Sequence, residues 1–287
     1  MRRNSRPILL VLLSALAVAG TVPTSPAASA SSSGWLNKCS YTQSRTDDPI
    51  VFPGQSGASH LHDFSANRST AASSTPTSMK AAGTACTLAT DTAAYWAPAL
   101  YRNGTKVSPD GSWAGRATRQ QVYYRDNNLA PGTYINSIPA DLRLVAGQGR
   151  ATSPAENPKL GKEIYWGCSD NSTGKLVAPP SSCASGVITL HIGFPNCWDG
   201  VLTHSNDTAH VVYPSSYACP AAFPKALPRV IVRHEYPVGT TTGTITLSSG
   251  PSYTVHGDFW NTWNQARLDR LVAECLNVDR NCGTPTS

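Results

Sequence analysis

Long apolar runs are missing from this 287-residue chain once residue 20 is passed, so nothing in its body reads as a membrane anchor. Also missing are a Gly-x-Ser-x-Gly nucleophile elbow, a phosphate-cradling glycine loop and a His-Glu-x-x-His helix, which removes the most familiar hydrolase, nucleotide and metalloprotease routes. Lysine and arginine form no run and no helical stripe, which argues against nucleic acid as a partner. No Cys-x-x-Cys occurs, so a zinc-ribbon use of the cysteines is weak. Sustained strand–helix alternation and internal repeats are absent too, which sets aside parallel α/β folds and solenoids.

What is present begins with an export signal. Arg2, Arg3 and Arg6 form a basic start, residues 8–20 an apolar stretch too short to span a bilayer comfortably, and Ala28-Ser29-Ala30 a small-x-small cleavage site. The expectation is a signal peptide over 1–30 and a single secreted, soluble, monomeric β-rich domain over 31–287, with no membrane partner. Loss of those three arginines lowers the formal charge from +6 to about +3. All 8 cysteines lie beyond residue 30, and an even number in an exported chain reads as disulfides. Eight cysteines allow 105 pairings; nearest-neighbour pairing gives Cys39–Cys86, Cys168–Cys183, Cys197–Cys219 and Cys275–Cys282.

The remaining roughly 250 residues suit one large all-β domain or two small ones. Short aromatic or alternating stretches recur between Gly/Pro turns, as at 95–101, 120–125, 142–146, 163–168, 187–194, 209–213, 230–236, 242–247 and 253–259. In the 187–194 stretch, Ile188, Leu190, Ile192 and Phe194 share one face. Residues 65–84 are rich in Ser, Thr and Ala and read as a surface loop. Leu268, Leu271, Val272 and Cys275 follow helical spacing, with Asn261 as the expected N-cap. The fold class expected is mainly β, a β-sandwich or jelly roll with one C-terminal helix and several disulfides.

Chemistry concentrates in two pairs. The chain has 7 histidines, and two of them stand at His60 and His62 beside Asp63. In extended backbone, residues two apart point the same way, so His60 and His62 can reach one target. His256 and Asp258 repeat that geometry. Converging, the two pairs make a candidate divalent-metal site of His60, His62, His256 and Asp258, imidazole and carboxylate being the usual donors. Against it stands a capping role for Asp258 at the helix that follows. The same groups also suit acid–base catalysis, with Asp63–Asp258 as the better carboxylate pair of a glycosidase and Asp199 as a third acid at an Asp-Gly turn. Tyr124 and Arg125, with a histidine, fit polysaccharide elimination. Trp96 and Trp198 are candidates for stacking on a sugar ring, although most tryptophans are expected in the core.

Four stretches occur in order: His60-Leu61-His62-Asp63-Phe64, Tyr95-Trp96-Ala97-Pro98, Phe194-Pro195-Asn196-Cys197-Trp198-Asp199-Gly200 and His256-Gly257-Asp258-Phe259. Together they resemble the secreted family filed as domain of unknown function nineteen ninety-six, found in bacteria and fungi, from about Cys39 to about Cys282. The resemblance implies an extracellular protein, and the WSC carbohydrate-binding modules appended to some fungal members imply cell walls or polysaccharides as its target. One departure is visible over residues 206–210, where only Asp207 and His210 remain of an expected acid–histidine cluster.

The expectation is therefore a secreted carbohydrate-active enzyme that cleaves an extracellular or cell-wall polysaccharide, by hydrolysis before elimination because acids outnumber neutralising bases at the site. His60, His62, Asp63, His256 and Asp258 form that site, with His210 as a further candidate. A non-catalytic glycan- or metal-binding protein using the same residues is the alternative, and a secreted antagonist of other microbes a weaker third.

Overall fold

The structure, a computed structural model, describes residues 33–107, 120–205 and 207–286; the expected signal peptide lies outside them. Two five-stranded antiparallel sheets carry the fold. The first has the strand order Trp35–Cys39, Gln120–Arg125, Arg229–Pro237, Val187–Gly193, Ile164–Cys168. The second runs Tyr41–Arg45, His62–Ala66, Ala94–Pro98, His256–Trp260, Arg143–Gly147. Smaller sheets flank them, including one built around Leu100–Arg102 and Ile245–Leu247.

Alternation decides which side chains meet between the sheets. Ile188, Leu190 and Ile192 are fully buried, as their spacing predicts. Across from them the second sheet contributes Tyr95 and Phe259, and the Phe194 and Phe259 ring centroids lie 6.1 Å apart. Gly257 lets the sheets close, because a Cβ there would stand 2.9 Å from Ile192. The two tyrosine hydroxyls trapped in this layer are paired: those of Tyr95 and Tyr124 lie 2.6 Å apart, and Trp263 Nε1 donates to the Tyr124 hydroxyl at 2.8 Å.

Much of the outer face of the second sheet is closed to water. Phe64, Trp96, Ala94 and Trp260 form a second apolar cluster there with Met79, and Ile50 packs on it. Met79 sits on a helix over Pro76–Ala82, inside the stretch expected to be loop. Its start is specified locally: Thr75 and Ser78 cap each other's backbone, and Pro76 stands at the first helical position. The C-terminal helix spans Gln265–Leu271 and continues as a π-turn over Val272–Leu276. Its N-cap is Asn264, whose side chain accepts from Arg267 N. Asn261 is instead fully buried, and its Nδ2 donates to the carbonyls of Ile138 and Pro139.

All four disulfides pair nearest neighbours, Cys39–Cys86, Cys168–Cys183, Cys197–Cys219 and Cys275–Cys282.

Candidate functional site

On the outer face of the second sheet, strand register brings the two polar pairs together. Both His62 and His256 occupy the row of Pro98, because His62 pairs with Pro98 and Asp258 pairs with Trp96 two residues along. The His62 and His256 rings meet edge to face with Nε2 atoms 3.2 Å apart. His60, just before its strand begins, places its ring 4.3 Å from His62 and 5.0 Å from His256, centroid to centroid. One ring nitrogen from each of the three lies within 4.8 Å of the others.

Two carboxylates complete the group. Asp258, in the row next to His256, is fully buried and neither of its oxygens has a hydrogen-bond partner. Asp48 comes from the segment that crosses above the sheet; its Oδ1 accepts from the backbone of Ile50 and Val51 at 3.0 Å each. Donor atoms of Asp48, His62 and Asp258 again lie within 4.8 Å of one another. That overlying segment is pinned by Asp47, which accepts from Gly57 N at 2.9 Å and Ala72 N at 3.1 Å.

Burial governs the electrostatics, since it disfavours whichever form is charged. It holds His62 well below the usual imidazole range, with the neighbouring His256 and His60 adding to the effect. Burial brings His256 down to about 4, against the opposing bond to the Thr254 carbonyl. His60 is lowered for the same reason. Asp258 is pushed well above the usual carboxylate range by burial and then by Asp48; burial also raises Asp48, against the bonds from Val51 and Ile50.

Above this floor opens a cleft of about 460 Å³, within the range of small-molecule sites. Asp48, His60, His256 and Asp258 line it, with Phe52, Gln148 and Arg150 on its walls. Gly149 closes one side so tightly that a Cβ would stand 2.8 Å from the His256 ring.

Several expected site residues lie elsewhere. Asp63 alternates to the other face of its strand, where Ser44 Oγ donates to it at 2.6 Å and Lys106 pairs with it at 3.0 Å. The carboxylate beside Asp258 is therefore Asp48, not Asp63. Asp258 stands mid-strand and caps no helix. Trp96 and Tyr124 are closed to solvent: Trp96 stacks on Phe64 in the outer cluster and Tyr124 on Trp35 in the core, so neither meets a sugar. Trp198 is half-buried, its Nε1 donating to the Leu202 carbonyl at 2.6 Å, and Asp199 caps the turn by accepting from Val201 and Leu202 N. Arg125 lies on the first sheet, its guanidinium over the Tyr123 ring at 5.4 Å. His210 is buried, with Nε2 bonded to the Arg143 carbonyl at 2.8 Å; Thr208, not His210, reaches the cleft.

Asp48 escaped the reading of the sequence. Its signal was the Asp47-Asp48 doublet before Pro49, the one place in the chain where two acids adjoin.

No curated protein and no solved structure matches the chain. A family model described as "Domain of unknown function (DUF1996)" matches residues 48–263. That span starts at Asp48 and takes in His60, His62, His256 and Asp258, so it holds every residue gathered at the cleft floor. With most of its length matched, the chain belongs to the DUF1996 family.

Proposed function

We propose that the chain is a secreted enzyme that hydrolyses an extracellular or cell-wall polysaccharide, with its reaction centre at the cleft floor. The observation that supports this reading is the meeting of two carboxylates and three imidazoles beneath an open cleft. Glycosidic hydrolysis needs a group that delivers a proton to the leaving oxygen and another that prepares water, and groups of both kinds stand here. Asp48, held at one oxygen by backbone amides and facing the cleft, is assigned the proton-transferring role. Elimination would need cations to neutralise a uronate, and Arg150 is the one lysine or arginine among the cleft residues. With Trp96 and Tyr124 buried, Phe52 takes over the stacking of a sugar ring.

Export is part of the proposal. Four disulfides are at home in an oxidising compartment, and no described helix is long and apolar enough to cross a membrane.

The test is digestion of a panel of wall and matrix polysaccharides by the mature chain, read as new reducing ends. Asp48→Asn should keep the fold and lower the rate by about 100-fold or more. A folded wild type that releases nothing from any glycan removes the hydrolase; saturable glycan binding without product would then favour a binding protein.

A further inference from the structure

The geometry points to a bound metal: His60, His62 and His256 form a site for one divalent transition-metal ion of the zinc class, with Asp258 beside it at His62. The inference stands on the side chains themselves and does not need the glycan reading.

Proton placement comes first. His62 Nδ1 lies 3.0 Å from the Asp47 carbonyl, and His256 Nδ1 lies 3.0 Å from the Thr254 carbonyl. A carbonyl only accepts, so each ring donates its Nδ1–H. In a neutral imidazole that leaves Nε2 as a bare acceptor. The two Nε2 atoms nonetheless face each other at 3.2 Å. Two lone pairs at that distance repel unless an electrophile lies between them. Tetrahedral zinc, with Zn–N near 2.0–2.1 Å, sets its nitrogen ligands about 3.3 Å apart. The pair is thus spaced as two ligands of one ion. Backbone carbonyls on the far nitrogens are also how ligating histidines are commonly oriented.

Asp258 gives an independent sign. A fully buried carboxylate with both oxygens unpartnered is costly, since a buried charge needs a counter-charge or hydrogen bonds. No lysine or arginine pairs with it among the described residues. A divalent cation held by the histidines supplies that counter-charge, since an Asp258 oxygen lies within 4.8 Å of a His62 ring nitrogen. His60 adds a third nitrogen, and its Nε2 is likewise buried without a partner. His60 and Asp258 both line the cleft, so the ion has a route in and a side facing any bound ligand.

Donor type selects the metal. Three imidazoles with a carboxylate beside them suit zinc and its neighbours, whereas calcium and magnesium take all-oxygen shells. An ion there would act as a Lewis acid on a substrate oxygen or lower the pKa of a bound water, with Asp48 beside it.

The test uses the mature chain, stripped with a chelator, dialysed and titrated with zinc by calorimetry, and with cobalt(II) by visible absorption. One zinc per chain is expected, with the intense visible bands of four-coordinate cobalt. Affinity should fall at least about 10-fold in His62→Ala and His256→Ala. Because a lost buried ring can unfold the sheet, half-buried His60→Ala and near-isosteric Asp258→Asn are measured too, with circular dichroism as the check on folding. A folded wild type that takes up no zinc or cobalt overturns the site, as does unchanged affinity in folded His60→Ala and Asp258→Asn. Stoichiometric zinc on a chain inert to every glycan would keep the metal and remove the hydrolase. Cleavage by a stripped chain that binds no metal would do the reverse.

Discussion

Asp91 shows at a single residue how burial writes pH into stability. It lies in the core, where Asn37 Nδ2 donates at 2.8 Å and the Tyr95 hydroxyl at 3.0 Å. Burial outweighs these bonds and raises its pKa to about 7 from an ordinary 3.8. The folded chain therefore holds this proton more tightly than the unfolded one. The stability that Asp91 contributes is full below pH 3.8 and is lost as pH rises through 7. Asp91→Asn cannot ionise and escapes the loss, while every other titrating group is common to both proteins. Wild type should lose stability relative to Asp91→Asn between pH 4 and pH 7, by at most about 4 kcal/mol. Urea unfolding of both proteins at three pH values reads this directly, and parallel curves would show that Asp91 stays ionised in the fold.

At the scale of elements, the helix Pro76–Ala82 covers the apolar part of the second sheet's outer face. Met79 is its one fully buried side chain and packs with Phe64, Trp96 and Trp260. Met79→Ala should cost about 3 kcal/mol in chemical denaturation, and a loss below about 1 kcal/mol would mean that the helix rides loosely on the sheet. This element was hidden in the sequence because the 65–84 stretch is Ser/Thr/Ala-rich and one buried methionine makes no periodicity. Its Thr75-Pro76 start was the readable clue. Strands with internal alternation, such as Val187–Gly193, were legible, and so were the histidine pairs, because register preserves the two-residue spacing that the sequence displays. Asp63 and Asp48 were not. Asp63 turns from the cleft because its strand runs on to Ala66 and alternation sets it opposite His62, and Asp48 reaches the cleft only through the path of a loop. Trp96 and Tyr124 misled for another reason: an aromatic side chain looks the same in a sequence whether it packs or binds.

Taken whole, the molecule joins residues far apart in its chain at the cleft without a covalent link between them. His62 and His256 touch across 194 residues, while the disulfides close loops of 7 to 47 residues. Cys39–Cys86 is the staple that matters for the site, since its 47-residue loop contains Asp48, His60, His62 and the covering helix. If restricting the unfolded chain is what stabilises, opening that loop costs about 4 kcal/mol, against about 2 kcal/mol for the 7-residue loop of Cys275–Cys282. The double variants Cys39→Ala/Cys86→Ala and Cys275→Ala/Cys282→Ala should therefore rank in that order by urea denaturation. The first should also weaken any ligand held by Asp48 and His60, because the loop that carries them gains freedom in the folded chain too. Equal losses in the two variants would mean that local packing around each bridge, and not loop length, sets its worth. In that case the segment's own hydrogen bonds and packing hold it in place, and site affinity should be unchanged when Cys39–Cys86 is removed.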